Sequence, residues 1–482
     1  MNLKMVFRIF GRIARLEGFL LLLPACVALI YGEFKAAIVF AGVAAGAVAL
    51  GWMLMAFLKP DDTVIYAKEG FATVSVAWVG MSLIGALPFV ISGEIPNFVD
   101  AFFETVSGFT TTGASLLKDV TAMGKGMLLW RSFTHWLGGM GVLVFIMAIA
   151  NNISDRTIHI MRAEMPGPVV GKLVPKVRDT AKILYLIYIG ITVLEMIFLC
   201  AGGMSFYESA VHSFSTAGTG GFGLYPDSIA HYSSYIKWVI TVFMLLFGVN
   251  FNLYYLVLVR RFRSAVSSRE LWVYLGIFAV STVVMSINVL HMYPSYGDAL
   301  RDSAFTAAAI VTTTGFAVAD FNLWPELSRG IIFLLLFVGG MAGSTGGGFK
   351  ISRVMLLFKM VRREFRKLLR PRSVSTVTID GKVVEEETLR SVAIYFMIYM
   401  ICIGATFLLI SFEPFGIESN LSAAISCMNN VGPGFGLVGP MGGYSDYSAF
   451  SKIVLSVAML LGRLEIYPIL IALIPSAWRR KR

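Results

Sequence analysis

The chain has 482 residues, of which 57% are apolar and 14% charged, with a mean hydropathy of +0.76. That composition excludes an ordinary soluble domain and places the chain in a lipid bilayer. The formal charge of +11 does not signal nucleic-acid binding, because the basic residues gather beside the ends of apolar segments, where they orient helices in a membrane.

In chain order, a first helix is expected over about residues 18–31, preceded by Lys4, Arg8, Arg12 and Arg15. It has no clear small-residue cleavage site and reads as a retained signal-anchor. It pairs with a second helix over 34–58 across a tight turn at Gly32 and Glu33, so residues 1–58 form a two-helix extension. One pattern then recurs four times, over 59–155, 156–265, 266–360 and 361–482: a long apolar helix, a short apolar segment, a polar turn with glycine, and another long apolar helix. The expected fold is all-α and integral to the membrane: two N-terminal transmembrane helices plus four pseudo-repeats of helix, re-entrant pore helix and helix around one central pore.

The short segments are expected at 98–109, 205–215, 299–311 and 418–428, with starts near Asn97, Ser205, Asp298 and either Ser419 or Asn420. At 1.5 Å per residue they cannot cross a hydrocarbon core of roughly 30 Å, so they must turn back. Each runs into a short tract: Thr110, Thr111, Thr112 and Gly113; Ala217, Gly218, Thr219 and Gly220; Thr312, Thr313, Thr314 and Gly315; Asn429, Asn430, Val431 and Gly432. Non-helical backbone at membrane depth leaves carbonyls that need a polar partner. A dehydrated cation ringed by such carbonyls is one solution, with K⁺ the expected ion at these residues. A single tract of this kind is equally a glycine turn ending a helix; four in register argue for the ring.

In the third unit, Gly339 to Gly348 interrupts what should be a continuous helix, since glycine costs about 1 kcal/mol against alanine in a helix interior. The unwound run Gly343, Ser344, Thr345, Gly346, Gly347 and Gly348 is expected to line water or be covered by protein. It lacks the spacing of a phosphate loop, although Lys350 follows it. Arg463 is expected inside the last long helix, where an unpaired cation is costly; Glu465 is a nearby candidate partner.

Basic residues around 156–182, 259–269 and 359–390 and at Arg479, Arg480, Lys481 and Arg482 alternate with loops 203–235 and 412–451, which contain neither Lys nor Arg. By the positive-inside rule both termini face the cytoplasm. Cys26, Cys200, Cys402 and Cys427 are read as buried small apolar residues. His135, His159, His212, His231 and His291 form no metal-ligand spacing. Glu104 and Asp302, beside pore helices, either attract cations or satisfy local backbone. Nothing clusters as an enzyme site.

Seven stretches carry a family likeness: SGFTTTGAS at 107–115, RSFTHWLGGMGV at 131–142, HSFSTAGTGGF at 212–222, VTTTGF at 311–316, GGMAGSTGGGFK at 339–350, NNVGPGFG at 429–436 and LGRLEIYP at 461–468. On these the chain resembles the Trk/Ktr/HKT superfamily of cation transporters, most closely the Trk-type bacterial potassium-uptake transmembrane subunit. The resemblance implies filter glycines at Gly113, Gly220, Gly315 and Gly432, with Gly218 and Gly221 as alternatives in the second tract. Glycine rather than serine at 113 favours K⁺ over Na⁺ by the same resemblance. It implies that Arg463 and the 343–348 loop gate permeation. It further implies a homodimer in the bacterial cytoplasmic (inner) membrane, working with a separate cytoplasmic nucleotide-binding regulatory subunit, and no covalent cofactor. The basic linker 361–390, including Arg362, Arg363, Arg366, Lys367, Arg370 and Arg372, reads as a contact for anionic lipid or for such a partner. The alternatives are a proton- or sodium-coupled symporter, for which Glu195 and Glu465 are the intramembrane candidates, and a less selective monovalent-cation transporter.

Overall fold

A computed structural model describes residues 2–58, 67–141, 177–371 and 375–478. The expected unit boundaries at 59 and 155/156, the basic stretch up to 176 with His159, Arg372, and residues 479–482 lie outside the described residues.

The chain opens with α1 (Leu3–Leu20), α2 (Leu22–Ile30) and α3 (Phe34–Phe57). The first span therefore begins some fifteen residues earlier than expected, and Lys4, Arg8, Arg12 and Arg15 lie within it. Long cationic side chains allow this by reaching out of the apolar layer along their own stems, and Arg15 also lies over the Trp52 ring. The turn at Gly32 and Glu33 falls as expected, with Gly32 at φ 76°. Small residues set the contact between α1 and α3. A Cβ on Gly18 would stand 2.7 Å from the Ala44 carbonyl oxygen, and one on Gly51 would overlap the Gly11 carbonyl.

Long helix, short helix, tract and second helix then follow in sequence four times. The first set is α4 (Ala67–Ser92), α5 (Phe98–Phe109) and α6 (Lys125–Gly139). The second is α7 (Val177–Ala201), α8 (Phe206–Gly218), α9 (Ser234–Phe247) and α10 (Phe251–Leu258), trailed by α11 (Phe262–Val266). The third is α12 (Arg269–Asn288), α13 (Tyr296–Val311), α14 (Glu326–Leu335) and α15 (Ile351–Leu369). A two-residue hairpin pairing Thr378–Ile379 with Lys382–Val383 leads to α16 (Glu386–Ile410), α17 (Gly416–Asn429), α18 (Ala449–Arg463) and α19 (Tyr467–Leu473).

The longest short helix has 16 residues and rises about 24 Å, too little to span. Asn97 and Ser205 cap the first two as expected, Ser205 in a reciprocal capping box with Glu208. The third is capped by Ser295 rather than Asp298, which sits in its first turn. The fourth begins at Gly416, before Ser419 and Asn420. Those side chains instead tie loops: Asn420 donates to the Glu413 carbonyl, and Ser419 accepts from the Leu437 N–H.

Six helices are long and apolar enough to cross a membrane among the described residues, and α9 with α10 forms a seventh, bent candidate. Their outer faces are apolar yet exposed, as at Ile38, Phe57 and Ile401, which is what lipid contact requires. The same geometry corrects the cysteine reading. Only Cys427 is buried; Cys26 and Cys200 are exposed and Cys402 is half-buried, because an apolar side chain facing lipid needs no protein cover.

Gly51→Leu is expected to force α1 from α3 and lower stability by about 1–3 kcal/mol. Gly46→Leu is the control, since a Cβ there meets nothing within 4 Å. Thermal unfolding in detergent distinguishes them; equal shifts would show that packing at Gly51 is not the cause.

Candidate functional site

Each short helix ends in the same backbone turn. Thr111, Thr219, Thr313 and Asn430 adopt left-handed φ of 55–59°. Their N–H groups bond back three residues, and the next N–H bonds back five: Thr112 to Ser107, Gly220 to Ser215, Thr314 to Ala309 and Val431 to Ser426. These pairings satisfy carbonyls that a helix end otherwise leaves open. A β-branched threonine in this region costs on the order of 1–3 kcal/mol and persists only where its surroundings demand it.

Two residues after each left-handed position comes a glycine with positive φ: Gly113, Gly221, Gly315 and Gly432. The backbone thus puts Gly221, not Gly220, in the glycine position of the second tract, and Gly220 matches Thr112, Thr314 and Val431. The expected tract beginning at Ala217 shifts by one residue. With three glycines in GTGG, composition could not choose the register; the left-handed Thr219 does.

The four tracts meet in a closed cycle. A Cβ on Gly113 would overlap the Gly220 carbonyl oxygen, one on Gly221 that of Thr314, and one on Gly315 that of Val431. A Cβ on Gly432 would stand 2.5 Å from the Thr112 carbonyl oxygen, which returns to the first tract. All four glycines line one cavity of about 330 Å³. At its rim Lys118 meets Asp446 at 2.9 Å. Hydrogen bonds from Lys118 and then Ser445 hold that carboxyl below its usual range.

Side chains brace the tracts from behind. Thr110 and Thr112 share a hydroxyl contact of 2.8 Å, and Thr312 and Thr314 one of 2.7 Å. Asn430 donates to the Thr112 hydroxyl at 3.0 Å and to the Met459 carbonyl at 2.9 Å, while Tyr399 donates to Asn429. His135 is fully buried against the second tract, stacked on Phe222 with ring centres 4.2 Å apart.

On the other side of the tracts the second helices break. The run from Gly339 to Lys350 is non-helical, as expected, and it crosses to three neighbours. The Met341 N–H donates to the Gly248 carbonyl at 3.0 Å, and the Ala342 N–H to Glu270 at 2.8 Å. Thr345 donates to the Phe247 carbonyl at 3.1 Å, and the Gly347 N–H to the Thr313 hydroxyl at 2.7 Å. Lys350 is buried and donates to the Gly346 carbonyl. Gly343 and Gly348 have φ of 76° and 72°; Ser344 donates to the Met341 carbonyl.

Arg463 reaches this loop. Its guanidinium donates to the Thr345 carbonyl at 2.8 Å and to the Gly138 and Gly139 carbonyls at 2.5 and 2.7 Å. The last two are the C-terminal carbonyls of α6, where a cation is favoured by the helix dipole. Arg463 is not inside a continuous helix: α18 ends on it, and Ile466 at φ 65° starts a new direction. Glu465 pairs with Arg353, which also stacks on Tyr395.

Comparison with known proteins follows the same stretches. The family model described as "TrkH: Cation transport protein" matches residues 39–270 and 266–480. The chain belongs to the TrkH family. It is 33% identical over 495 residues to the Trk system potassium uptake protein TrkH of Escherichia coli (strain K12), covering 99% of this chain and 100% of that one. It is 31% identical to the TrkH of Halomonas elongata, with both chains fully covered. The crystal structure of the potassium transporter TrkH from Vibrio parahaemolyticus superposes with a TM-score of 0.88 at 31% identity, over 99% of this chain and 100% of that one.

Several elements of this TrkH-family site were absent from the sequence reading. Glu270, Phe247 and Gly248 anchor the loop, yet they lie 70 to 100 residues before it, and spacing gives no sign of them. The break between α9 and α10, a 91° bend, had a usable signal in Asn250, which caps α10 by accepting from the Asn252 N–H. Glu104 and Asp302 prove to be occupied locally. Glu104 takes Arg131 at 2.7 and 2.9 Å, Ser115 and the Leu116 N–H; Asp302 takes Arg301 at 2.7 Å. No cluster of three or more metal-binding side chains occurs among the described residues.

Because both partners of the Arg131–Glu104 pair are buried, Arg131→Leu strands a carboxylate and is expected to cost about 3–5 kcal/mol. A double change to Leu at 131 and Gln at 104 is expected to recover part of that loss. Melting temperatures in detergent decide it; an unaltered single variant contradicts the assignment.

Proposed function

We propose that this chain mediates potassium uptake across the bacterial cytoplasmic membrane through a channel-like selectivity filter with an intramembrane gate. One observation carries the reading: four backbone tracts, each at the end of a helix too short to span, close a cycle whose glycines line a single cavity. Backbone carbonyls arranged in this way replace the hydration shell of a monovalent cation, and four helix C-termini add partial negative charge. The names of the relatives, potassium uptake proteins of the Trk system, support K⁺ as the cargo.

In this reading the filter comprises residues 110–113, 218–221, 312–315 and 429–432. The four units are pore repeats, the second ending after α11 at Val266 rather than at 265 and the third after α15 at Leu369 rather than at 360, because neither helix is interrupted at the expected boundary. The gate is the 343–348 loop with Arg463. A fixed cation hydrogen-bonded to loop and helix carbonyls opposes a mobile one electrostatically, and the loop obstructs it sterically. A channel-like mechanism is favoured over coupling through Glu465 because that carboxylate is engaged by Arg353. The proposal retains a homodimer, cytoplasmic termini and a separate nucleotide-binding regulatory subunit on the cytoplasmic side.

Two measurements on reconstituted protein test this. Under clamped voltage, Gly113→Ser and Gly221→Ala are expected to lower K⁺ over Na⁺ permeation on the order of tenfold or more, since removing a cation's fitted coordination costs at least about 1.4 kcal/mol. Equal K⁺ and Na⁺ flux through the parent protein would defeat the filter. Arg463→Ala, or a loop shortened between Gly343 and Gly348, is expected to raise K⁺ flux severalfold; unchanged flux across voltages would defeat the gate.

A further inference from the structure

The sharp bend after α9 leaves an apolar groove on the outer face of the second unit. Its walls are Ile183, Leu186, Ile187 and Gly190 of α7 and Tyr254 and Leu258 of α10, and it encloses about 600 Å³. Gly190 opens onto empty space: a Cβ there meets nothing within 4 Å. A groove of this kind beside lipid takes an apolar chain. What distinguishes this one is its end.

Val259 lines the groove, and the next residue is Arg260. Arg260 turns the chain at φ 60°, and the Arg261 N–H closes the helix on the Leu256 carbonyl at 2.8 Å. Arg260, Arg261 and Arg263 therefore crowd one turn, all exposed, and none makes a side-chain hydrogen bond or ion pair among the described residues. Buried arginines elsewhere in the fold are paired, as Arg131 and Arg353 are. Exposed apolar side chains surround the cluster, Phe262 at 56%, Val266 at 54% and Trp272 at 58% exposure. The Trp272 indole N–H donates to the Val266 carbonyl at 2.8 Å, which fixes that ring beside the turn. Tryptophan next to arginine is the side-chain pairing of a membrane–water boundary.

We propose that this face is a binding site for an anionic phospholipid, with an acyl chain in the α7–α10 groove and the phosphate-bearing headgroup on Arg260, Arg261 and Arg263. Charge complementarity selects the occupant. Guanidinium groups bind phosphate in a fork geometry, and each arginine near an anionic surface contributes about a fivefold preference. A lipid supplies both halves of the ligand at once. The site rests on the chain being embedded in a membrane and not on the filter or gate, so its test is independent of theirs.

The test is native mass spectrometry of the full-length protein with phosphatidylglycerol, with phosphatidylcholine of the same chains, and with glycerol 3-phosphate alone. Phosphatidylglycerol is expected to be retained in preference to phosphatidylcholine. Retention is expected to fall on the order of a hundredfold in R260Q/R261Q/R263Q, the product of the three preferences, and on the order of tenfold in Gly190→Trp, whose Cβ would stand in open space at the groove. Melting temperatures in lipid-free detergent are expected to match the parent for both variants. Equal retention of the two lipids, or retention unaffected by both variants, overturns the proposal. Binding of glycerol 3-phosphate as strong as that of the lipid overturns the groove's part in it. A change of oligomeric mass in Gly190→Trp with lipid retention intact would show that the face is an interface between copies, and would overturn it too.

Discussion

The fold depends on one close approach made four times. At each junction a glycine without a side chain lets the carbonyl of the next tract come where a Cβ would stand. The approach is cyclic: the first tract meets the second, the second the third, the third the fourth, and the fourth the first. A cycle cannot relax one junction without opening another. A single bulky residue at any of the four glycines therefore disturbs the whole ring, and positive φ at each one adds a conformational reason for glycine.

That geometry explains the strained threonines. Thr111, Thr219 and Thr313 hold left-handed backbone, which β-branched residues avoid, and Asn430 holds the same conformation at lower cost. The strain is held in place by contacts from below. Thr313 accepts the Gly347 N–H from the 343–348 loop, and Asn430 reaches across to Thr112. Packing does the rest: a Cβ on Gly138 would overlap the Phe109 carbonyl, and one on Gly462 the Met428 carbonyl. The second helices thus break where they must pass close under the tracts. Their breaks and the tract geometry are one constraint seen from two sides.

Much of this was legible in the sequence because it is local. A run of 10 to 13 apolar residues is too short to span, whatever its surroundings, and Asn97 and Ser205 announce their helices by side-chain chemistry alone. Arg463 stood out because a cation among apolar residues is costly. What was not legible is what tertiary contact decides. The register of Gly218, Thr219, Gly220 and Gly221 is set by which residue takes left-handed φ, and three glycines leave that open. The starts of the third and fourth short helices moved because Ser295 outcompeted Asp298 as a cap and because Ser419 and Asn420 were taken by loops. Cys26 and Cys200 were misplaced for a different reason: apolar character means burial in water, but in a bilayer it is equally satisfied by lipid.

The asymmetry of the four tracts has a mechanical counterpart in α6. Its N-terminus is held by Glu33, from the turn between α2 and α3, which accepts the Lys125 and Gly126 N–H groups at 2.5 and 3.0 Å. Its C-terminal carbonyls receive Arg463 from the far end of the chain. An anion at the N-terminus and a cation at the C-terminus both suit the helix dipole, so the charges reinforce one placement of α6. Between those ends α6 carries Arg131, paired with Glu104 on the first short helix, and His135, packed against the second tract. One helix thus connects the N-terminal extension, two tracts and the arginine that reaches the loop. Four identical subunits could not divide these roles, because symmetry would repeat the arginine and the loop in every quarter; a single chain with unequal quarters places each once.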